Sequence, residues 1–142
     1  MEANRPTVLL VEDDPAVRGV VSRILRRIGC RVEEAESAEG AIACLEDPTT
    51  PRPALLFLDV RLPGMNGIDL ARHLRERFPA VPILFLSGDA QFSRLGQSVG
   101  SGVLFLAKPF RMSVLEGYVR GLLGIVKSSR NYGAVKERSI SR

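Results

Sequence analysis

The sequence predicts an α/β fold: a five-stranded parallel sheet, doubly wound by helices on both faces in a (βα)5 succession. Three observations carry that prediction. Short apolar runs recur at residues 7–11 (TVLLV), 54–58 (ALLFL), 82–86 (PILFL) and 103–106 (VLFL), with a weaker strand pattern at 31–35. Continuous apolar runs of this length, bounded by turn residues, mark strands buried on both faces. The stretches between them carry helical spacing or capping residues, and strand–helix alternation means parallel strands joined by crossovers.

The first strand, 7–11, ends in Glu12, Asp13 and Asp14. Asp14 suits an N-cap and Pro15 the first helical turn. Val17, Val20, Val21, Ile24, Leu25 and Ile28 then form one apolar face, with Arg18, Arg23, Arg26 and Arg27 on the others. Gly29 stops that helix. After the strand at 31–35, Ser37 caps a helix to about residue 46, which the prolines of 47–53 (DPTTPRP) cannot continue. The third strand, 54–58, is closed by Asp59 and followed by the turn residues Pro63, Gly64, Asn66 and Gly67. A helix over about 67–78 turns Leu70, Ala71, Leu74 and Phe78 inward. The fourth strand, 82–86, ends in Ser87 and Gly88. Residues 90–99 make a weaker helix, because an internal glycine such as Gly96 costs about 1 kcal/mol against alanine. The fifth strand leads into Ala107, Lys108 and Pro109, and a last helix, about 112–126, buries Leu115, Val119, Leu122 and Val126.

At 142 residues the chain is long enough for one domain with a core. No apolar run approaches the roughly 20 residues that span a bilayer, and the N-terminus lacks a basic-then-apolar leader. A cytoplasmic protein with no membrane partner is therefore expected. Cys30 and Cys44 are too few and too isolated for a zinc site or a disulfide framework; both read as small buried hydrophobes. The net charge of +4 sits wholly in residues 127–142, where five basic residues face one acidic residue. That division predicts a domain over 1–126 and a flexible basic tail over 127–142. Scattered tail charges attract phosphate without sequence choice, so no specific nucleic-acid partner is expected.

Right-handed crossovers put the carboxyl ends of all strands on one rim, where open α/β sheets hold their ligands. That rim collects Glu12, Asp13, Asp14, Asp59, Ser87 and Lys108. Three or four carboxylates do not stay ionised together without a cation, and Lys108 alone is too little. The donors are all oxygen; the single histidine, His73, falls mid-helix in a charged stretch and reads as a solvated surface residue. A hard divalent ion fits such donors, Mg2+ above all where phosphate is handled. Asp59 then has two possible jobs. It is a metal ligand only, or it is also a nucleophile, since a carboxylate can take a phosphoryl group to form an acyl phosphate. Ser87 offers a hydroxyl and Lys108 a point charge to phosphoryl oxygens, and with the metal they make the clamp that phosphoryl transfer requires.

With these residues in this order, the chain resembles the receiver domain of bacterial two-component response regulators. The matching stretches are VEDDP after the first strand, LLFLD…PGMNG around the third, LSGD after the fourth and KPF after the fifth. The similarity covers about residues 6–126, and four motifs in register are specific where any one alone is weak. The resemblance implies a flavodoxin-like sheet of strand order 2-1-3-4-5. It also implies a phosphorelay role: Asp59 takes a phosphoryl group from a histidine kinase or phosphotransfer protein, with Mg2+, and a protein-binding surface switches toward a downstream partner. No enzyme activity is implied beyond the domain's own phosphorylation and dephosphorylation.

By the same resemblance, Asp13 is the direct Mg2+ ligand, Glu12 its partner through water, and the backbone carbonyl of Arg61 a further ligand beside Asp59. Ser87 is the switch hydroxyl and Lys108 the family's lysine. The Lys108–Pro109 bond resembles a cis peptide. Phe105 stands at the switch aromatic position, against plain strand packing for that ring. The moving output surface is expected over residues 89–102, between Ser87 and Phe105.

Two departures stand out. Asp14 adds a third acid to the family's pair and is read as a helix cap. Arg61 and Asp89, each two residues past a site residue, put opposite charges at the mouth of the site, where they can pair. Two other readings compete. A phosphatase of the haloacid dehalogenase type also uses an aspartyl nucleophile, but has a second acid where this chain has Arg61. Against a pseudo-receiver that binds partners without phosphorylation, every expected active-site residue is present. Residues 127–142 carry no effector-domain pattern, so either a stand-alone regulator, which the Met1 start favours, or a receiver from a larger protein such as a hybrid kinase is expected.

Overall fold

The computed structural model describes residues 4–88 and 97–125. The strands are β1 (Thr7–Val11), β2 (Arg31–Ala35), β3 (Leu55–Asp59), β4 (Ile83–Ser87) and β5 (Val103–Ala107). The described helices are α1 (Pro15–Arg27), α2 (Ala38–Glu46), α3 (Gly67–Arg77) and α4 (Met112–Leu123). All strand pairs are parallel, in the order β2-β1-β3-β4-β5. Most of the expected helix over 90–99, the expected partner Asp89, most of the 89–102 segment, Val126 and the basic tail lie outside the described residues.

Strand periodicity sorts the core into two halves. Val8, Leu10, Leu55, Phe57, Leu84 and Leu86 face α1 and α4, where they meet Val21, Ile24, Leu25, Leu115 and Val119. Leu9, Val11, Leu56, Leu58, Ile83 and Phe85 face the other way, toward Ala41 and Leu45 of α2 and Leu70, Ala71 and Leu74 of α3. β1, β3 and β4 are therefore buried along their whole length. β5 is less buried. It pairs with β4 alone, at the side of the sheet, and Leu104 is exposed while Val103 and Phe105 are half-buried.

Local signals set the helix ends. Asp14 accepts a hydrogen bond from the Ala16 N–H, Ser37 from Gly40 and Asn66 from Asp69, each satisfying a donor that the first helical turn leaves free. Asp14 is thus a cap. Val20 lies at the margin of the apolar stripe on α1 and is exposed, not packed as its spacing suggested. Helix α4 stops at Leu123, short of the expected 126, because Gly124 adopts a left-handed φ of 69° and closes it. β3 ends on Asp59 and β4 on Ser87, so both side chains stand at the carboxyl ends of strands, where the sequence put them.

Candidate phosphoacceptor site

Parallel pairing of β1 with β3 sets their carboxyl ends side by side. Asp59 closes β3 and is 3% exposed, and Glu12, just past β1, is 1% exposed. Asp13 is exposed at the mouth. Glu12, Asp13 and Asp59 each bring a carboxylate oxygen to within 4.8 Å of the others. Ser87 ends β4, buried, one residue beyond the register partner of Asp59. Its neighbour across to β5 is Ala107, and the Lys108 N–H donates to the Ser87 carbonyl at 2.8 Å. That bond places Lys108 over the acids, and the Lys108–Pro109 peptide that follows is cis.

Both oxygens of Asp59 are engaged. Oδ1 accepts from the Arg61 N–H at 3.0 Å, and Oδ2 from Lys108 Nζ at 3.1 Å. Lys108 Nζ also lies 3.4 Å from Glu12 Oε1. The second Glu12 oxygen, Oε2, accepts from the Asp14 N–H at 3.0 Å. Oε1 is buried and close enough to Lys108 to form an ion pair, yet it accepts no hydrogen bond of good geometry. Burial pushes the Glu12 carboxyl up to about 7. Asp59 adds to that rise, against the Asp14 N–H and the Lys108 charge. Burial alone would lower the Lys108 ammonium, but its bond to Asp59 and the charges of Asp59 and Glu12 outweigh that and raise it.

This geometry has a pH signature. Glu12 titrates at 4.5 when unperturbed and at about 7 in the folded metal-free site. Its contribution to stability is therefore fully present below the lower value and is lost as pH rises through the upper one. In EDTA, Glu12→Gln should gain on the wild type in thermal midpoint between about pH 5 and about pH 8, because glutamine keeps the neutral form throughout. Midpoints that run parallel across that range would refute this account.

The donor set suits a hard divalent cation. All three groups are carboxylates, and one presents a buried oxygen that lacks a hydrogen bond. Asp14 is not among them, since its carboxylate is spent on the cap. The Phe105 ring is half-buried and lies 5.0 Å from that of Phe85, its register partner, at an interplanar angle of 30°. Arg61 is exposed at the mouth, and His73 is exposed on α3. Cys30 is fully buried, and that burial pushes its thiol up to about 11; Cys44 is only half-buried. Among the described residues, no helix is long and apolar enough to cross a membrane.

Two residues of the site were not singled out by the sequence. Gly67 read simply as a turn residue. A Cβ there would stand 2.0 Å from the Asp59 carbonyl oxygen and 2.9 Å from Val60 Cα, so α3 begins directly against the backbone of the phosphoacceptor candidate. Arg18 read as one of several surface arginines, but its guanidinium reaches the Glu12 carbonyl. Both contacts fold the chain back across a single connection, β3 to α3 and β1 to α1, and only the PGMNG turn signal pointed toward the first.

A sheet of order 2-1-3-4-5 with an aspartate–lysine pair sunk in its carboxyl rim is a doubly wound module with its site at the strand ends. The chain belongs to the response regulator receiver domain family, whose sequence pattern it matches over residues 8–120. It is 33% identical over 132 residues to the response regulator protein TodT of Pseudomonas putida, covering 92% of this chain and 57% of that protein. To the response regulator protein TmoT of Ectopseudomonas mendocina it is 34% identical over 131 residues, covering 92% and 58%. The chain thus spans little more than half the length of these relatives. Among solved structures it resembles the chemotaxis response regulator CheY4 of Vibrio cholerae, with a TM-score of 0.76, 27% identity and coverage of 84% of this chain and 100% of the other. The receiver domain of NtrX from Brucella abortus gives a TM-score of 0.72 at 27% identity, covering 84% and 99%.

Proposed function

We propose that this receiver takes one phosphoryl group onto Asp59 from the phosphohistidine of a histidine kinase or phosphotransfer protein, and thereby switches a surface that binds a downstream protein. The observation that carries this reading is the buried Asp59 held against Lys108, with Glu12 and Asp13 beside it. In the transfer an Asp59 carboxylate oxygen bonds to phosphorus as the phosphorus–nitrogen bond breaks, and the imidazole leaves with that electron pair. Lys108 follows the negative charge onto the phosphoryl oxygens. Ser87 donates its hydroxyl to the same group, and the Arg61 N–H keeps the carboxylate oriented. Glu12, Asp13, Asp59 and the Arg61 carbonyl are the groups that would hold Mg2+, which when bound neutralises charge on the phosphoryl oxygens.

Phe105 is assigned to follow Ser87 when the hydroxyl shifts, since its strand leads to Lys108. The receiver proper covers 1–126, and the basic residues 127–142 form an appendage that does not read nucleic-acid sequence. The domain acts in the cytoplasm and catalyses only its own phosphorylation and dephosphorylation. Incubation with acetyl phosphate and Mg2+ should add the mass of one phosphoryl group. Borohydride trapping and peptide mapping should place it on Asp59. No uptake, or uptake confined to another residue, would overturn the reading.

A further inference from the structure

Arg18 sits in the second turn of α1, where a helical side chain leans back toward the helix N-terminus and so over the acidic turn. Its Nη1 donates to the Glu12 backbone carbonyl at 2.8 Å, and its Nε lies 3.4 Å from Glu34 Oε1 on β2. Glu34 is itself held, because its Oε2 accepts from Ser22 Oγ at 2.8 Å and from Arg26 Nη2 at 3.3 Å. From the other side, the Glu12 N–H donates to the Ala35 carbonyl at 3.0 Å. The Glu12 residue is thus pinned through its N–H by β2 and through its carbonyl by α1. The Arg18 side chain is 20% exposed and borders a cleft of about 380 Å3 lined by Glu34, Ala35, Glu36 and Gly40. Two polar partners hold the guanidinium there.

We propose that Arg18 is a positioning residue for the metal-binding turn. Gripping the Glu12 carbonyl, with Glu34 as its anchor, it sets the direction in which Glu12 and Asp13 present their carboxylates to Mg2+. This rests on the Mg2+ reading given above. A guanidinium is needed because one nitrogen serves the carbonyl and another the carboxylate, which a single ammonium does poorly. The rival account makes Arg18 a bystander charge, and the two differ in sign. A cation near a cation site repels Mg2+, so removing a bystander would tighten binding. Removing a positioning group weakens it.

The test is a calorimetric titration of Mg2+ into the full chain, below the thermal midpoint of every variant. Arg18→Met should bind about tenfold more weakly than wild type, the usual effect of losing a group that orients a ligand. Arg18→Lys, which keeps the charge and guards against a Met variant that fails to fold, should also bind more weakly. Glu34→Gln added to Arg18→Met should cost little more than Arg18→Met alone, since both act through one contact. Saturating Mg2+ should return the rate of acetyl phosphate uptake in Arg18→Met to the wild-type value, because positioning of the metal is overcome by mass action. Unchanged or tighter binding in the Arg18 variants, additive losses with Glu34→Gln, or a depressed rate at saturation would each overturn the assignment. Asp13→Ala separates the two levels. If it binds like wild type, the Mg2+ site itself is wrong; if it loses Mg2+ while the Arg18 variants keep it, only the role of Arg18 falls.

Discussion

Gly67→Ala should destabilise the domain by about 3 kcal/mol or more, the upper range for overpacking a site that cannot yield. The new methyl would overlap the Asp59 carbonyl oxygen at 2.0 Å, and the same residue's N–H donates to the Val60 carbonyl at 2.8 Å. Both neighbours are backbone, in or just past a strand buried on each face, so neither can rotate away. Relief requires α3 to back off, which loosens the turn that aims the Asp59 carboxylate. The variant should therefore show a lower urea midpoint and slower phosphoryl uptake together. Gly19→Ala is the internal control: nothing lies within 4 Å of a Cβ there, and alanine in the middle of α1 should stabilise by up to about 1 kcal/mol. Equal effects at the two positions would show that helix propensity, and not the close approach, governs Gly67.

Asp59→Asn should reduce phosphoryl uptake to background, because a neutral carboxamide is a poor nucleophile and gives Lys108 no carboxylate to hold in place. Its second expected effect runs the other way. Asp59 raises the Glu12 carboxyl, and both groups are nearly sealed from water. Neutralising one lets the other ionise at lower cost, and a partly solvated Lys108 keeps Glu12 as its partner. In EDTA at about pH 8 the variant should be more stable than wild type by on the order of 1 kcal/mol. The same substitution that ends the chemistry should relieve the fold, as expected where function needs like charges packed together. A variant less stable than wild type under those conditions would mean that the Lys108–Asp59 pair outweighs carboxylate repulsion.

Much of the architecture was legible because its causes are local. Apolar runs located β1, β3, β4 and β5 to within a residue or so, and Asp14 and Ser37 marked helix starts through bonds to amides two or three residues on. Gathering Glu12, Asp13, Asp59, Ser87 and Lys108 on one rim needed only parallel alternation. What escaped depends on contacts made across the fold. Gly67 looked like any turn glycine until Asp59 was set behind it. Arg18 looked solvated because its anchor Glu34 is brought to it only when β2 pairs beside β1, although the Glu12 carbonyl lies just across the β1–α1 turn. The resemblance to receivers places the fifth strand last in the sheet, and there β5 pairs with β4 alone.

That last place has a mechanical meaning. β1, β3 and β4 each have a strand on either side, and their ends carry Glu12, Asp59 and Ser87. Moving any of them breaks two ladders. β5 has one neighbour and carries Lys108 just past its end, so moving it breaks one. The site thus has a stiff acidic wall and a compliant basic one. Under the proposed function, phosphorylation of Asp59 is expected to move this basic wall, which also bears Phe105. Of the two side strands, β2 and β5, only β5 leads into Lys108, so it is where the proposed change of charge would become a displacement.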